Sequence, residues 1–205
     1  MIGIVDYNAG NITSVERALT YLDVDYVLSK NPKDLAACEK LIFPGVGDAA
    51  YAMEQLAATG FDVFLKKWAA DGKPLMGICL GSQIIFDFSE EGNVKCLGLI
   101  PGKICHFDNL AKNEALKIPH MGWNNLERKN GSSVILEGVP ENADFYFVHS
   151  YVICPEDESV VKACASYMVN VPAVVQKGNV VACQFHPEKS GEPGLKILKN
   201  FCEKF

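Results

Sequence analysis

Cys79 lies in a sequence pattern that suits a nucleophile. The segment Gly77-Ile78-Cys79-Leu80-Gly81 falls where a predicted strand passes directly into a predicted helix. A nucleophile at such a turn has a strained backbone, and the flanking segments pass so close that small residues are needed two positions before and after it. Glycine meets that need at both positions, and the N-terminus of the following helix favours the thiolate. The segment predicts a thiol nucleophile, and the alternative is a buried structural cysteine beside two turn glycines.

A thiol nucleophile needs a base, and the base needs an acceptor that orients it. His186 and Glu188 supply both, directly after the apolar run at 180–183. In an extended His-x-Glu segment the two side chains project to the same side, so Glu188 can accept a hydrogen bond from the imidazole. Pro187 disfavours a helical conformation at His186. We therefore expect a base with its orienting carboxylate, and the alternative is an exposed surface turn.

Acyl transfer through a thioester also needs hydrogen-bond donors for the developing oxyanion. The backbone N–H of Leu80, directly after the nucleophile, is the first candidate. The second is Pro44-Gly45-Val46-Gly47, which follows the predicted third strand and would lie in the crevice at the carboxyl ends of parallel strands. Its glycines let a ligand approach and let peptide planes rotate. We expect Val46 and Gly47 to complete an oxyanion hole with Leu80, although a Gly-rich segment is often only a turn.

The first half of the chain alternates short apolar runs with amphipathic segments. Strands are predicted at 1–5, 26–28, 41–43 and 74–79, and helices at 15–22 (capped by Thr13 and Ser14), just after Asn31, and at 48–58, 61–70 and 83–88. This rhythm predicts an α/β fold, with an open, mostly parallel twisted sheet and helices on both faces.

After about residue 93 the pattern becomes β-like, with short turns between runs. Runs at 96–105, 116–121, 133–136, 145–153, 160–165, 172–176 and 180–185 predict antiparallel strands added to the sheet, followed by a helix at 195–205. No repeat or linker divides the chain, so residues 1–205 are predicted to form a single domain.

Composition excludes several classes of function. The 205 residues are 49% hydrophobic and 21% charged, as in globular domains, and 19 basic and 25 acidic residues give a formal net charge of −6. This sign argues against nucleic acid and anionic membranes as partners. Without a positively charged leader or a run of about 18 apolar residues, we expect a cytoplasmic location. The eight cysteines and four histidines lack paired metal-ligand spacings, so we expect free thiols and no metal.

The segments GICLGSQ, HPEKSG and FPGVG together resemble the class I (triad) glutamine amidotransferases, and the resemblance covers nearly the whole chain. The segments at 6–11 (DYNAGN), 119–124 (PHMGWN) and 146–151 (YFVHSY) are similar to the glutaminase subunits of imidazole glycerol phosphate synthases, from histidine biosynthesis. Ser82 departs from the family, which more often has methionine there, and this difference should not affect catalysis.

The resemblance implies that Cys79 is the nucleophile, His186 the acid and base, and Glu188 the orienting carboxylate of a glutaminase that needs no cofactor. It also implies a set of residues around the polar head of glutamine: Gln83, Glu91 and the backbone near Gly45, Gly47, Ser150 and Tyr151. A carboxylate such as Glu91 suits the α-ammonium group, and amide donors suit the α-carboxylate.

The resemblance further implies a heterodimer with a (β/α)₈ cyclase subunit. Ammonia would pass to that subunit, which makes imidazole glycerol phosphate and an aminoimidazole carboxamide ribonucleotide. The expected contact residues are His120, Met121, Trp123, Asn124 and Lys189. Trp123 suits an exposed anchor because tryptophan is enriched at interfaces. His120 suits a structural or interface role better than the alternative role of a second base.

Other functions remain open from the sequence. One is a glutaminase paralogue that supplies a different synthase, such as a sugar-modifying enzyme, or a thiol hydrolase unrelated to glutamine. Another is a catalytically silent scaffold for the cyclase, although the presence of all three triad residues argues against a loss of catalytic activity. A regulatory hypothesis concerns Val46, whose peptide could aim a carbonyl at the oxyanion site until the partner binds.

Overall fold

The computed structural model describes residues 1–111 and 117–205. Within these ranges the strands are β1 (Ile2–Val5), β2 (Tyr26–Ser29), β3 (Lys40–Gly45), β4 (Leu75–Cys79), β5 (Phe88–Ser89), β6 (Val94–Lys95), β7 (Gly102–His106), β8 (His120–Asn125), β9 (Glu127–Arg128), β10 (Asp144–His149), β11 (Tyr151–Pro155), β12 (Val161–Tyr167), β13 (Val169–Lys177) and β14 (Val180–Cys183). The helices are α1 (Ile12–Tyr21), α2 (Pro32–Leu35), α3 (Ala49–Thr59), α4 (Phe61–Ala70), α5 (Leu80–Ile84), α6 (Phe107–Leu110) and α7 (Gly191–Lys204).

The main sheet of the described chain has eight strands in the order β2-β1-β3-β4-β14-β13-β12-β9. The strands from β2 to β14 in this order pair in parallel, whereas β13, β12 and β9 are antiparallel additions. This confirms the predicted mixed sheet. The remaining strands form two small sheets, β10-β8 and β11-β7-β5-β6, and do not extend the main one as the sequence suggested.

Alternate side chains of the central strands point to opposite faces of the sheet. In β3, Leu41 and Phe43 contact one buried cluster and Ile42 contacts the other. Apolar residues of α3 and α4 complete the first cluster, and those of α1 and α7 complete the second. Because both faces are covered, β4 is buried along its whole length. The helices therefore lie on both faces, as predicted.

Several predicted boundaries were wrong for local reasons. The helix expected at 83–88 is α5 at Leu80–Ile84, because Cys79 alone makes the turn from the strand. The run at 133–136 forms a 3₁₀-helix at Val134–Leu136, and the run at 145–153 is broken into two strands at Ser150.

The ends of other helices and strands also differ from the prediction. Helix α1 begins at Ile12, so Thr13 and Ser14 lie inside it and Asn11 occupies the N-cap position. Strand β3 continues through Pro44 to Gly45, and α7 begins at Gly191. Part of the run predicted at 116–121 lies outside the described residues.

Three glycines pack against one another where β3, β4 and α5 meet. A Cβ atom on Gly81 would collide with the Phe43 carbonyl oxygen, and one on Gly77 would lie 2.8 Å from the Gly81 carbonyl oxygen. A Cβ atom on Gly45 would lie 2.6 Å from the Gly81 nitrogen. The neighbouring atoms belong to the backbone and cannot move aside as flexible side chains do. This junction therefore excludes every larger residue.

We predict that Gly81→Ala lowers the free energy of unfolding by about 3 kcal/mol or more, because the added methyl group overpacks a rigid junction. Urea unfolding followed by circular dichroism measures the change. The matched control is Gly72→Ala, where the added carbon meets open space but φ is +75°, so it should cost only about 1 kcal/mol. Equal losses for both variants would contradict this account of the junction.

Candidate active site

Cys79 occupies the turn between β4 and α5 in a strained conformation. Its φ is 54° and its ψ is −112°, a region that residues other than glycine rarely adopt. The following residue, Leu80, already belongs to the helix, so the turn is as sharp as the sequence pattern predicted. The N–H groups of a first helical turn have no acceptor within the helix, which leaves that of Leu80 available as an oxyanion donor.

His186 and Glu188 follow β14, the parallel neighbour of β4. The register pairs Cys183 with Ile78, so the residues after β14 lie beside the end of β4. His186 Nδ1 lies 2.7 Å from Glu188 Oε1, and both side chains are almost completely buried. A 3₁₀-helix at Pro187–Lys189 turns Glu188 back toward the ring. The predicted pairing of His186 with Glu188 is therefore present.

A cavity of about 320 Å³ lies at the carboxyl ends of these strands. Its lining consists of Val46, Gly47, Cys79, Leu80, Gln83, Glu91, Pro119, Val148, His149, Ser150, Tyr151 and His186. Cys79 and His186, which are more than a hundred positions apart in the sequence, therefore share one cavity. Among the described residues, the second ring nitrogen of His186, Nε2, has no hydrogen-bond partner, so it is free to exchange a proton with a bound molecule.

The pKa of His186 lies well above that of a free imidazole. Burial lowers the pKa, but interactions with Cys79 and Glu188 more than offset this effect and raise the pKa to about 9. The ring is therefore protonated at neutral pH. A buried imidazolium beside a cysteine is suited to donate a proton to a leaving group.

The segment at Val46 and Gly47, which is expected to complete the oxyanion hole, has a defined orientation. The Val46 N–H donates to the Ala9 carbonyl at 3.0 Å, and Gly47 has a φ of +96°. In this conformation the Val46 N–H is already engaged. Both residues line the cavity, whereas Gly45 lies beneath it against Gly81.

Gln83 and Glu91, the two side chains expected to hold glutamine, both line the cavity. Gln83 Nε2 donates to the Tyr151 carbonyl at 3.1 Å and to Gln184 Oε1 at 2.9 Å, so both of its amide protons are engaged. Glu91 accepts a hydrogen bond from the Ala49 N–H at 3.0 Å. Burial raises the pKa of Glu91 to about 7. A cation bound beside this carboxylate would lower its pKa again.

His149 is a cavity residue that the sequence reasoning missed. The segment YFVHSY contains it, but nothing in the local pattern distinguished it from a core histidine. It lines the cavity together with Val148 and Pro119. Its position follows from the pairing of β10 with β8, which places His149 opposite His120.

The residues expected to contact a partner lie mostly on one surface beside the cavity. Met121 and Trp123 on β8 are 62% and 59% exposed, and the Trp123 ring lies 5.9 Å from that of Tyr146 on β10. Lys189 is exposed, with Nζ 6.0 Å from the Tyr146 ring.

The other two expected contact residues lie deeper. Asn124 is half-buried, and His120 is only 3% exposed. His120 therefore fits the structural role that the sequence left open, and any contact with a partner would be indirect.

Comparison with known proteins identifies the family. The family model "Glutamine amidotransferase class-I" matches residues 3–205. The chain belongs to the class I glutamine amidotransferases. Relatives of this amidotransferase include the protein named "Imidazole glycerol phosphate synthase subunit HisH" from Geobacillus kaustophilus, 49% identical over 203 residues, covering 98% of this chain and 95% of the relative. The protein of the same name from Nitratidesulfovibrio vulgaris (strain Miyazaki F) is 44% identical over 205 residues, with coverage of 98% and 95%. The subfamily resemblance seen in the sequence is thus confirmed.

Solved structures support the fold of this amidotransferase. A structure described as a glutamine amidotransferase superposes with a TM-score of 0.75 at 20% identity and covers 98% of both chains. PurLQS from Thermotoga maritima superposes with a TM-score of 0.70 at 23% identity, covering 98% of this chain and 96% of that one. At these identities the likeness shows the fold alone.

All eight cysteines lie within the described residues and are free. No three His, Cys, Asp or Glu side chains in residues 1–111 and 117–205 are grouped so as to hold a metal ion. Helices with the length and apolarity needed to cross a bilayer are absent from the same residues.

We predict that Glu188→Gln lowers the pKa of His186 by about one to two units, because the carboxylate that stabilises the imidazolium is removed. Titration of the His186 ring by NMR measures this shift from the wild-type value of about 9. Glu192→Gln is the control, since that carboxylate is exposed at the start of α7 and should leave the titration unchanged. An unshifted titration in Glu188→Gln would contradict the orienting role.

Proposed function

We propose that this amidotransferase is the glutaminase subunit of imidazole glycerol phosphate synthase, acting in the cytoplasm. The observation that carries the proposal is the shared cavity of Cys79 and His186, with Glu188 on the far side of the imidazole ring. The relatives named as subunits of that synthase, at 44% to 49% identity over nearly the whole chain, support the choice of synthase.

The reaction proceeds in two steps. The Cys79 thiolate attacks the side-chain carboxamide carbon of glutamine and forms a C–S bond. His186 Nε2 gives its proton to the departing nitrogen as the C–N bond breaks, so ammonia leaves and a γ-glutamyl thioester remains. His186 then takes a proton from water, which attacks the thioester, and glutamate leaves as the C–S bond breaks. Glu188 holds the ring through Nδ1 and stabilises its charge.

The substrate's polar head is held at the other end of the cavity. The α-ammonium group lies against Glu91, whose elevated pKa falls when a cation is bound beside it. Both protons of the Gln83 amide are engaged. Gln83 therefore offers the substrate a hydrogen-bond acceptor, its carbonyl oxygen, and also holds the Tyr151 backbone in place. Donors for the α-carboxylate then come from the backbone at Ser150 and Tyr151.

The surface formed by Met121, Trp123, Tyr146 and Lys189 is the docking face for the cyclase subunit. It lies beside the active site because the Tyr146 carbonyl accepts the His186 N–H at 3.0 Å. A (β/α)₈ barrel bound here as a heterodimer would receive ammonia directly, without nucleic acid or membrane partners. Exposed aromatic side chains are the usual anchors of such interfaces.

The isolated subunit is held at low activity by the oxyanion segment. The hydrogen bond from the Val46 N–H to the Ala9 carbonyl keeps one candidate donor away from the substrate. Rotation of the Gly45–Val46 peptide, which carries this N–H, would release it, and the glycine on one side of that peptide permits the rotation at low cost. Docking of the liganded cyclase supplies the energy for this change.

We predict that Cys79→Ala abolishes glutamine hydrolysis and leaves the fold intact, because alanine removes the nucleophile without adding volume. Glutamate release by the chain mixed with a histidine-pathway cyclase and its nucleotide measures the activity. The control is Cys202→Ala in α7, outside the cavity, which should retain activity. Hydrolysis at the wild-type rate by Cys79→Ala would refute the assignment, and ammonia transfer only to a different synthase would favour a paralogue.

We further predict that the liganded cyclase raises glutaminase kcat by at least about 100-fold, the typical value of one oxyanion donor. The comparison requires glutamate release by the chain alone, with the cyclase, and with the cyclase plus its nucleotide. Equal rates in all three conditions would show that the Val46 segment does not restrain catalysis.

A further inference from the structure

Ser82 carries a buried hydroxyl three positions after the nucleophile, and it takes no part in the reaction proposed for Cys79 and His186. The residue lies in α5 and is 0% exposed. Its Oγ lies 2.6 Å from the Cys79 carbonyl oxygen. Because a carbonyl oxygen can only accept, the Ser82 hydroxyl is the donor of this bond. The hydroxyl therefore acts on the backbone of the nucleophile itself.

The Cys79 carbonyl and the Leu80 N–H belong to the same peptide group, which is planar and trans. The two groups point in opposite directions, so the direction of the carbonyl determines that of the N–H. The carbonyl points along α5 toward Ser82. The Leu80 N–H therefore points out of the start of the helix, where Cys79 and Leu80 line the cavity. This N–H is the first candidate donor for the oxyanion.

A second donor reaches the same carbonyl oxygen. Cys79 is the N-cap residue of α5, and the carbonyl of an N-cap residue accepts the first bond of its helix, here from the Gln83 N–H. The Ser82 hydroxyl then occupies the other lone pair of the oxygen. A carbonyl held by one donor can tilt about that bond, whereas two donors at different angles fix its plane.

The Cys79–Leu80 peptide needs this support because the backbone beside it is strained. The ψ angle of Cys79, which sets the plane of this peptide, is −112° at a φ of 54°. Such a conformation persists only where the surroundings hold it. Helix α5 has only five residues, so few helical bonds oppose a change at its first peptide. A rotation at ψ would turn the Leu80 N–H away from the cavity, and the Ser82 hydroxyl opposes that rotation.

We propose that Ser82 is a positioning residue of the oxyanion hole, whose hydroxyl fixes the Cys79–Leu80 peptide with the Leu80 N–H directed at the developing oxyanion. This inference rests on the proposed glutaminase function and adds to it a residue particular to this chain. The family more often has methionine at this position, and methionine has no donor. The proposal thus differs from the expectation, drawn from the sequence, that this serine leaves catalysis unaffected.

The kinetic test uses the chain assembled with its cyclase and measures kcat and KM for glutamine. Ser82→Ala should lower kcat roughly three- to tenfold, the effect of one buried hydrogen bond. KM should stay within about twofold, because an oxyanion donor acts in the transition state. The loss is smaller than the roughly 100-fold cost of deleting an oxyanion donor, since the Leu80 N–H is still present. Ser82→Thr should retain most of kcat, because a threonine hydroxyl can bond the same i−3 carbonyl.

Ser133→Ala is the matched control. The Ser133 hydroxyl also donates at 2.6 Å, to Gln176 Oε1, and the residue is 3% exposed. This variant therefore loses a buried hydrogen bond of the same length, but neither partner lines the cavity. It should lose stability to urea much as Ser82→Ala does and keep the wild-type kcat. An equal loss of kcat in both variants would overturn the proposal, because lost stability would then explain the rate.

A second measurement does not depend on activity. Carbonyl-13C cysteine combined with 15N leucine labels the peptides in which leucine follows cysteine, and these are Cys79–Leu80 and Cys96–Leu97. The residual dipolar coupling of each N–H bond in the full chain reports its orientation. The Leu80 coupling should change in Ser82→Ala and return in Ser82→Thr. The Leu97 N–H, which donates to the Ile84 carbonyl of α5 at 2.9 Å, should keep its coupling and so show that the helix has not moved.

Several outcomes would overturn the proposal. They are an unchanged kcat in folded Ser82→Ala, an unchanged Leu80 coupling in that variant, and a loss of kcat in Ser82→Thr as large as in Ser82→Ala. If Ser82→Ala does not fold, Ser82→Cys replaces it, because a thiol of similar shape is only a weak donor, and the same outcomes decide.

The two proposals fail in different ways. A wild-type complex that does not hydrolyse glutamine overturns the proposed function and, with it, any role of Ser82 toward glutamine. An active wild-type complex in which Ser82→Ala leaves kcat unchanged overturns the role of Ser82 alone.

Discussion

The absence of side chains at Gly45, Gly77 and Gly81 is the constraint on which the active site depends. These residues let β3, β4 and α5 approach to backbone contact, and that approach forces Cys79 into a conformation with positive φ. The strain is maintained because the sheet is buried on both faces and the junction cannot relax. The close backbone packing at these glycines thus directs the Cys79 sulfur toward the cavity.

The second organising feature is a set of hydrogen bonds that joins separate elements around the cavity. Gln83 on α5 donates to Tyr151 at the start of β11 and to Gln184 after β14. His149 donates to the same Tyr151 carbonyl, and His120 links it to the strand that carries Trp123. Buried polar groups that are fully paired specify one arrangement, since losing a partner leaves a costly unsatisfied group. These bonds therefore hold α5, β11 and the segment after β14 together at the substrate end of the cavity.

Electrostatics divide the histidines into two kinds according to their neighbours. His186 contacts a carboxylate and has a raised pKa, whereas His120 and His149 have no carboxylate partner among the described residues, and burial lowers their pKa values. All three are buried, so burial alone does not set the charge. A charged ring suits proton transfer, and the neutral pair suits directional hydrogen bonding.

The sequence by itself determined the mixed sheet, the helices on both faces, the turn at Cys79 and the pairing of His186 with Glu188, because each depends on residues that are neighbours along the chain. Only the tertiary structure decided that Cys79 and His186 share a cavity, that His120 points inward and that the Val46 N–H is engaged by Ala9. It also placed His149 at the cavity. These facts depend on strand order and register between distant segments, which local periodicity does not encode.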